Sequence, residues 1–258
     1  MGNPGSAVAT RRDAAHAGHI PGYERLDGPV PVSHPPRLAG MARETRDHLA
    51  LGSRALEQIS VAEAPGVEAL LVAEEDRDSA PRENARPYPP GLPYFTRSVD
   101  PPALVLPEDL SPVFRPRTPL LWPLAVWHEL AHAFLLQREV VKMPAWLGEL
   151  VPQAASAAVA RRAGLPLDEH LGLINRDPGF TVREFGGRAS AQEQMDYQNL
   201  LLVFGAAAVD EFGEGSVGFL IRALWNEDDV VDEERAEELL AGSLGSGGAA
   251  WLSSRPEF

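Results

Sequence analysis

The chain has 258 residues, 44% of them hydrophobic and 23% charged, a globular balance that supports a sizeable core in one large domain or two small ones. Lys plus Arg number 23 against 37 Asp plus Glu, and the net charge of -14 disfavours nucleic-acid phosphates and anionic lipid, so neither nucleic acid nor a membrane is an expected partner. Cysteine is absent, which excludes disulfides and thiolate metal sites and leaves nitrogen and oxygen ligands for any metal.

Residues 1–34 carry Arg11 and Arg12 with no following apolar run of signal-peptide length, and read as a disordered leader, with a cytoplasmic location as the default. Residues 37–59 place Leu38, Met41, Thr45, His48, Leu49 and Leu56 at helical intervals, predicting an amphipathic helix. Val67 to Glu74 and Ala103 to Leu106 are short apolar runs of strand length, separated by a proline-rich loop over 80–93. A strongly apolar helix is predicted next, opening at Pro119 or Pro123 with Thr118 as cap and running to about Arg138. Pro144 opens a second helix that ends near Gly164, and Ser190 with Glu193 forms a capping box for a third, from Ala191 to about Glu211. Helices over Val217 to Trp225 and Asp232 to Leu240 follow, and the acidic run Glu227 to Glu238 reads as a solvated helical face rather than a calcium loop. Residues 243–258 read as a flexible tail. No uninterrupted apolar stretch reaches the roughly 20 residues needed to span a bilayer. The expected class is α+β: one domain over 35–242, with a small mixed sheet in the half up to about residue 140 and a mainly helical half after it.

The chemistry concentrates in His128-Glu129-Leu130-Ala131-His132. Histidines four apart on a helix lie one turn above each other and can reach a single ion, while Glu129 sits about 100° around the helix, beside such an ion. From there its carboxylate can activate water. Chance alone places HExxH in a chain with seven histidines on the order of one per cent of the time. From Leu120 to Leu136 these three residues are the only ionisable ones, and an apolar helix does not usually bury such a cluster without a partner.

Two histidines leave a metal short of a third protein ligand. The HExxHxxGxxH pattern fails, because Leu135 and Arg138 occupy the glycine and last histidine positions. Glu149 is the leading alternative. His132 lies about 9 Å before the expected end of its helix and Glu149 about 7.5 Å beyond Pro144, so an antiparallel hairpin brings them level. Its neighbours Trp146, Leu147, Leu150 and Val151 are apolar, where an unpaired carboxylate is costly. Glu139, Asp168, Glu169 and His170 are weaker candidates.

HELAH followed by AWLGEL resembles the gluzincin zinc metallopeptidases, most of all their compact peptidase MA-like and minigluzincin group, over roughly residues 37–225. The resemblance implies a zincin-like fold, a Zn2+ ion held by His128, His132 and Glu149, Glu129 as general base and later proton donor, and a peptide or protein substrate lying along an unpaired strand edge at Ala103 to Leu106. Many relatives have glycine where this chain has Leu150, and thermolysin-like members an aspartate where it has Gln153. Gln153 is expected to accept a hydrogen bond from a ligand histidine in its place. Relatives also stabilise the oxyanion with a tyrosine or histidine from a later helix, a place that Tyr197 matches, although Leu200, Leu201, Phe204 and Ala208 on its face suit a core aromatic equally. The second reading is a zinc-stabilised binding or regulatory module of the same fold without significant hydrolysis, and the third an interaction protein without metal. Nothing in the sequence specifies an oligomeric state.

Overall fold

The computed structural model describes residues 20–83, 90–138, 142–176, 178–184 and 190–258. Glu139, the expected leader up to residue 19, and residues 84–89 of the proline-rich loop lie outside them. The centre of the sheet is built from the two apolar runs, β3 (Glu68–Val72) and β5 (Ala103–Pro107), which pair in parallel. Both of their faces are covered, which is why they lack a polar alternation. Ala69, Leu71, Leu104 and Leu106 face the main core, and Leu70, Val72 and Val105 pack under Ile20 and Ala80 on the other side.

Three short strands complete the sheet. β2 (Val32–His34) lies parallel to β3, β1 (Glu24–Leu26) runs antiparallel to β2, and β4 (Tyr94–Thr96) runs antiparallel to β5, in the order β1-β2-β3-β5-β4. Two expectations are corrected here. Residues 20–34 belong to the folded domain, with Val30 and Val32 fully buried, rather than to a disordered leader. The edge strands are β1 and β4, and the Ala103 to Leu106 segment is an interior strand with partners on both sides.

The remainder is helical: α1 (Ala39–Ser60), α2 (Leu121–Leu135), α3 (Ala145–Arg162), α4 (Leu167–Leu171), α5 (Ala191–Phe212), α6 (Gly215–Trp225), α7 (Glu233–Ser243) and α8 (Gly248–Ser253). The architecture is therefore α+β, a small mixed sheet followed by helices. α1 returns the chain from β2 to β3 and packs on α2, α2 packs on α3, and α3 packs on α5. Twelve of the fifteen residues of α2 are buried, as expected for a helix that is apolar on every side. It begins at Leu121, and Thr118 does not cap it; the Leu120 N–H donates to the Thr118 hydroxyl instead, before the helix starts. The predicted capping box of α5 is present, with Ser190 and Glu193 each accepting from the other's backbone N–H.

Indole N–H groups hold α2 in place. Trp127 donates to the His48 carbonyl of α1 at 2.9 Å, Trp122 to the Thr45 hydroxyl at 3.2 Å, and Trp225 of α6 to the Leu135 carbonyl at the end of α2 at 2.8 Å. The C-terminal segment, expected as a flexible tail, is also built in. Leu252 is buried, the Phe258 ring stacks on Phe204 with centroids 5.5 Å apart and meets Trp146 edge-on, and Val182 N–H donates to the Glu257 carbonyl. Leu244, Trp251, Leu252 and Phe258, spaced among Gly, Ala and Ser, turn onto the core. No helix among the described residues is long and apolar enough to cross a membrane.

Small residues set the spacing between α3 and α5. A Cβ on Gly205 would stand 2.8 Å from the Ala154 Cα and 2.9 Å from its backbone nitrogen, too close for either helix to stay where it is. Gly205→Val is expected to cost about 1–3 kcal/mol of stability by overpacking. A denaturant titration checks this, and an unchanged midpoint would contradict the close crossing.

Candidate metal centre

The helix α2 reaches its Leu136 cap three residues sooner than its apolar run suggests, so His132 lies three residues before the helix end at Leu135, while Glu149 lies four residues into α3 from Ala145. Only the end of α2 shifts from its expected place, and the residues remain level across the α2–α3 crossing. His132 Nε2 is 3.1 Å from His128 Nε2, and Glu149 Oε2 is 3.4 Å from the first imidazole of the pair, His128, and 3.7 Å from His132. His128, His132 and Glu149 are the one group of three or more His, Asp or Glu among the described residues whose potential ligand atoms lie within 4.8 Å of one another. A tetrahedral ion bonded at about 2.05 Å separates its ligand atoms by about 3.3 Å, and the three observed separations bracket that value. The donor set, two neutral-capable imidazoles and a carboxylate with no sulfur, therefore fits a metal ion.

Electrostatics tie the three together. Burial opposes ionisation of Glu149, but His132 and His128 outweigh it and hold the carboxyl well below the usual carboxylate range. Burial likewise disfavours the charged form of His132, and Glu149 beside it reverses the sign and raises its pKa. Glu129 differs. It is buried, and burial pushes its carboxyl above the ordinary value, opposed by the His128 and His132 imidazoles and by the Phe95 backbone N–H of β4.

These residues line a cavity of about 320 Å3 that also receives Tyr94 and Phe95 from β4, Gln194, Gln198 and Asn199 from α5, and His170 from α4. Tyr197 is absent from the lining. It is fully buried, its hydroxyl donates to the Val182 carbonyl at 3.3 Å, and burial pushes the phenol up, so the structure places it in the core on the Leu200, Leu201 and Phe204 face. His170, a weaker ligand candidate, lines the cavity outside the ligand cluster, with Nδ1 2.6 Å from the Thr118 hydroxyl; burial lowers its pKa. Asp168 pairs instead with Arg161, on the surface.

The outer support of the site was not legible. Gln153 does not reach a ligand histidine: its amide donates to the Gln198 carbonyl oxygen at 2.6 Å, and Gln198 in turn donates to Glu149 Oε2 at 2.9 Å. The available signal was a buried amide interrupting the apolar face of α5, with Gln194 one turn before it. His128 Nδ1 is buried with no hydrogen-bond partner among the described residues. No family model and no curated protein matches the chain.

Titration of the chelator-treated protein with zinc and with cobalt is expected to give one site per chain, lost in Glu149→Ala. Gln198→Leu is expected to weaken it about 10–100-fold, as loss of an outer-sphere donor does. Unchanged affinity in both variants would remove the cluster as a metal site.

Proposed function

We propose that the protein is a zinc-dependent peptidase of zincin-like fold, acting in the cytoplasm on peptide or protein chains that lie along β4. The observation that carries this reading is the spacing of the three ligand atoms, 3.1, 3.4 and 3.7 Å, with the carboxyl of Glu129 buried beside them in an open-sided cavity. Zinc bound there would lower the pKa of a coordinated water toward neutrality and polarise the substrate carbonyl.

The chain's own residues supply the rest. Glu129 has a raised proton affinity, which suits a group that takes the proton of the attacking water and delivers it to the departing amine. β4 is an edge strand whose residue Phe95 stands at the cavity wall, so an extended substrate can add to the sheet there. To His170, which lines the same cavity, we assign the stabilisation of charge developing on the carbonyl oxygen, the role that Tyr197 was expected to fill. The Thr118 hydroxyl can donate to its Nδ1, which leaves Nε2–H as a donor for an occupant of the cavity, and burial keeps the imidazole neutral.

A zinc-stabilised binding module without hydrolysis is the second reading, and the orphaned Nδ1 of His128 favours it, since a ligand imidazole without an outer-sphere acceptor is a poorer donor to a metal.

The zinc-loaded protein is expected to cleave members of a peptide library, with cleavage abolished by 1,10-phenanthroline. Glu129→Gln should retain stoichiometric zinc and lose turnover by at least about 100-fold, the scale of general-base catalysis. Zinc retention with full turnover would refute the role of Glu129, and zinc retention with no cleavage by the wild type would select the binding module. His170→Ala is expected to lower kcat by about 10–1000-fold, as removal of an oxyanion donor does, and Tyr197→Phe to leave it unchanged. The opposite pattern in steady-state kinetics would restore Tyr197.

A further inference from the structure

A second cavity, of about 780 Å3, adjoins the first: Phe95 and Leu136 line both. It follows β4 beyond the metal cluster, and its wall carries the guanidinium groups of Arg97, Arg138 and Arg222 against a single lining carboxylate, Glu63. In a chain of net charge -14 that is a local reversal of sign. None of the three guanidinium groups is paired with a carboxylate among the described residues. Arg138 lies over the Trp225 ring at 4.9 Å, Arg222 over Phe219 at 4.8 Å while donating to the Ser60 carbonyl, and Glu83 accepts only from the Arg97 backbone N–H. Stacked guanidinium groups keep their planar edges available for a bidentate carboxylate.

We propose that this cavity is the specificity site of the peptidase and takes an acidic side chain of the substrate, two or three residues to the N-terminal side of the scissile bond; the proposal rests on the peptidase reading above. The placement follows from the strand. β4 runs from the metal cavity, at Tyr94 and Phe95, toward the second cavity, and Arg97 lies two residues beyond Phe95 on the same side, about 7 Å further on. A substrate pairing antiparallel to β4, the more stable arrangement, runs the opposite way. The residues before its scissile bond then lie over the arginines, and a free C-terminal carboxylate points away from them.

The test has two arms on the full chain. With zinc-loaded wild type, cleavage products of a mixed decapeptide library are sequenced; Asp or Glu two or three residues before the cut is expected to be favoured about tenfold over Gln or Ala, a charge-assisted margin that weakens with salt. The variant Arg97→Gln with Arg138→Gln, both exposed positions, is expected to bring that preference within about twofold while cleavage of neutral peptides is kept. In the second arm, Glu129→Gln protein is titrated calorimetrically with C-terminally amidated octapeptides carrying Glu-Glu, Gln-Gln or Lys-Lys in the N-terminal half. The Glu-Glu peptide is expected to bind most tightly, and the double arginine variant to lose the difference. If no peptide is cleaved but binding discriminates in this way, the peptidase reading fails and the acid-binding cavity stands. Equal binding of the three peptides, a cleavage preference for acid only after the cut, a requirement for a free C-terminal carboxylate, or a preference retained in the double variant each overturns the proposal.

Discussion

The approach of one carboxylate to two imidazoles across the α2–α3 crossing organises the molecule. Glu149 brings a negative charge to a cleft walled by buried apolar side chains, its own side chain only half-buried, and His128, His132 and the Gln198 amide are its partners. For the three to converge, α2 must be held at both ends and along its length. The tryptophan N–H bonds from Trp122, Trp127 and Trp225 do this, each ending on a group of a neighbouring helix or on the last turn of α2. The alanine-rich stretch of α3 then lets α5 approach closely at Gly205, and that approach delivers Gln198 to the back of Glu149.

Elements far along the chain serve the same crossing. Trp146, three residues before Glu149, donates to Glu233 at the start of α7 and is met edge-on by Phe258, so the last residue of the chain braces the first turn of the glutamate-bearing helix. Opposite it, β4 supplies the Phe95 backbone N–H beside Glu129 and forms the wall shared by the two cavities. The polar residues thus divide the work: Glu149 and the imidazoles form an ion-sized nest, Glu129 stands beside it with raised proton affinity, and His170 and the α5 amides close the far side.

The parts legible in the sequence were those with a long periodic signal or a fixed chemical spacing. The i, i+4 histidines, the apolar α2, the Pro144 start of α3 and the capping box of α5 each depend on local rules, and the level placement of Glu149 survived an error of three residues in the end of α2 because α3 starts only after Pro144. The short strands were not legible. β1, β2 and β4 have three residues each, too few for a period-two pattern, and β4 was hidden in a proline-rich stretch, so the cleft edge was assigned to the interior strand β5. Tyr197 was left between a site and a core reading for a different reason. Its helix was placed correctly, but a stripe of Leu and Phe does not say how the helix is rotated about its axis, and the rotation that turns Gln194 and Gln198 to the cavity turns Tyr197 into the core.

The central claim is that the His128, His132 and Glu149 side chains form one tetrahedral zinc site. X-ray absorption at the zinc edge of the protein loaded with one equivalent tests it most directly. The account predicts a first shell of two imidazole nitrogens and oxygen at about 2.0–2.1 Å, in four-fold coordination. A six-coordinate shell of oxygen alone, with no imidazole scattering, would contradict it.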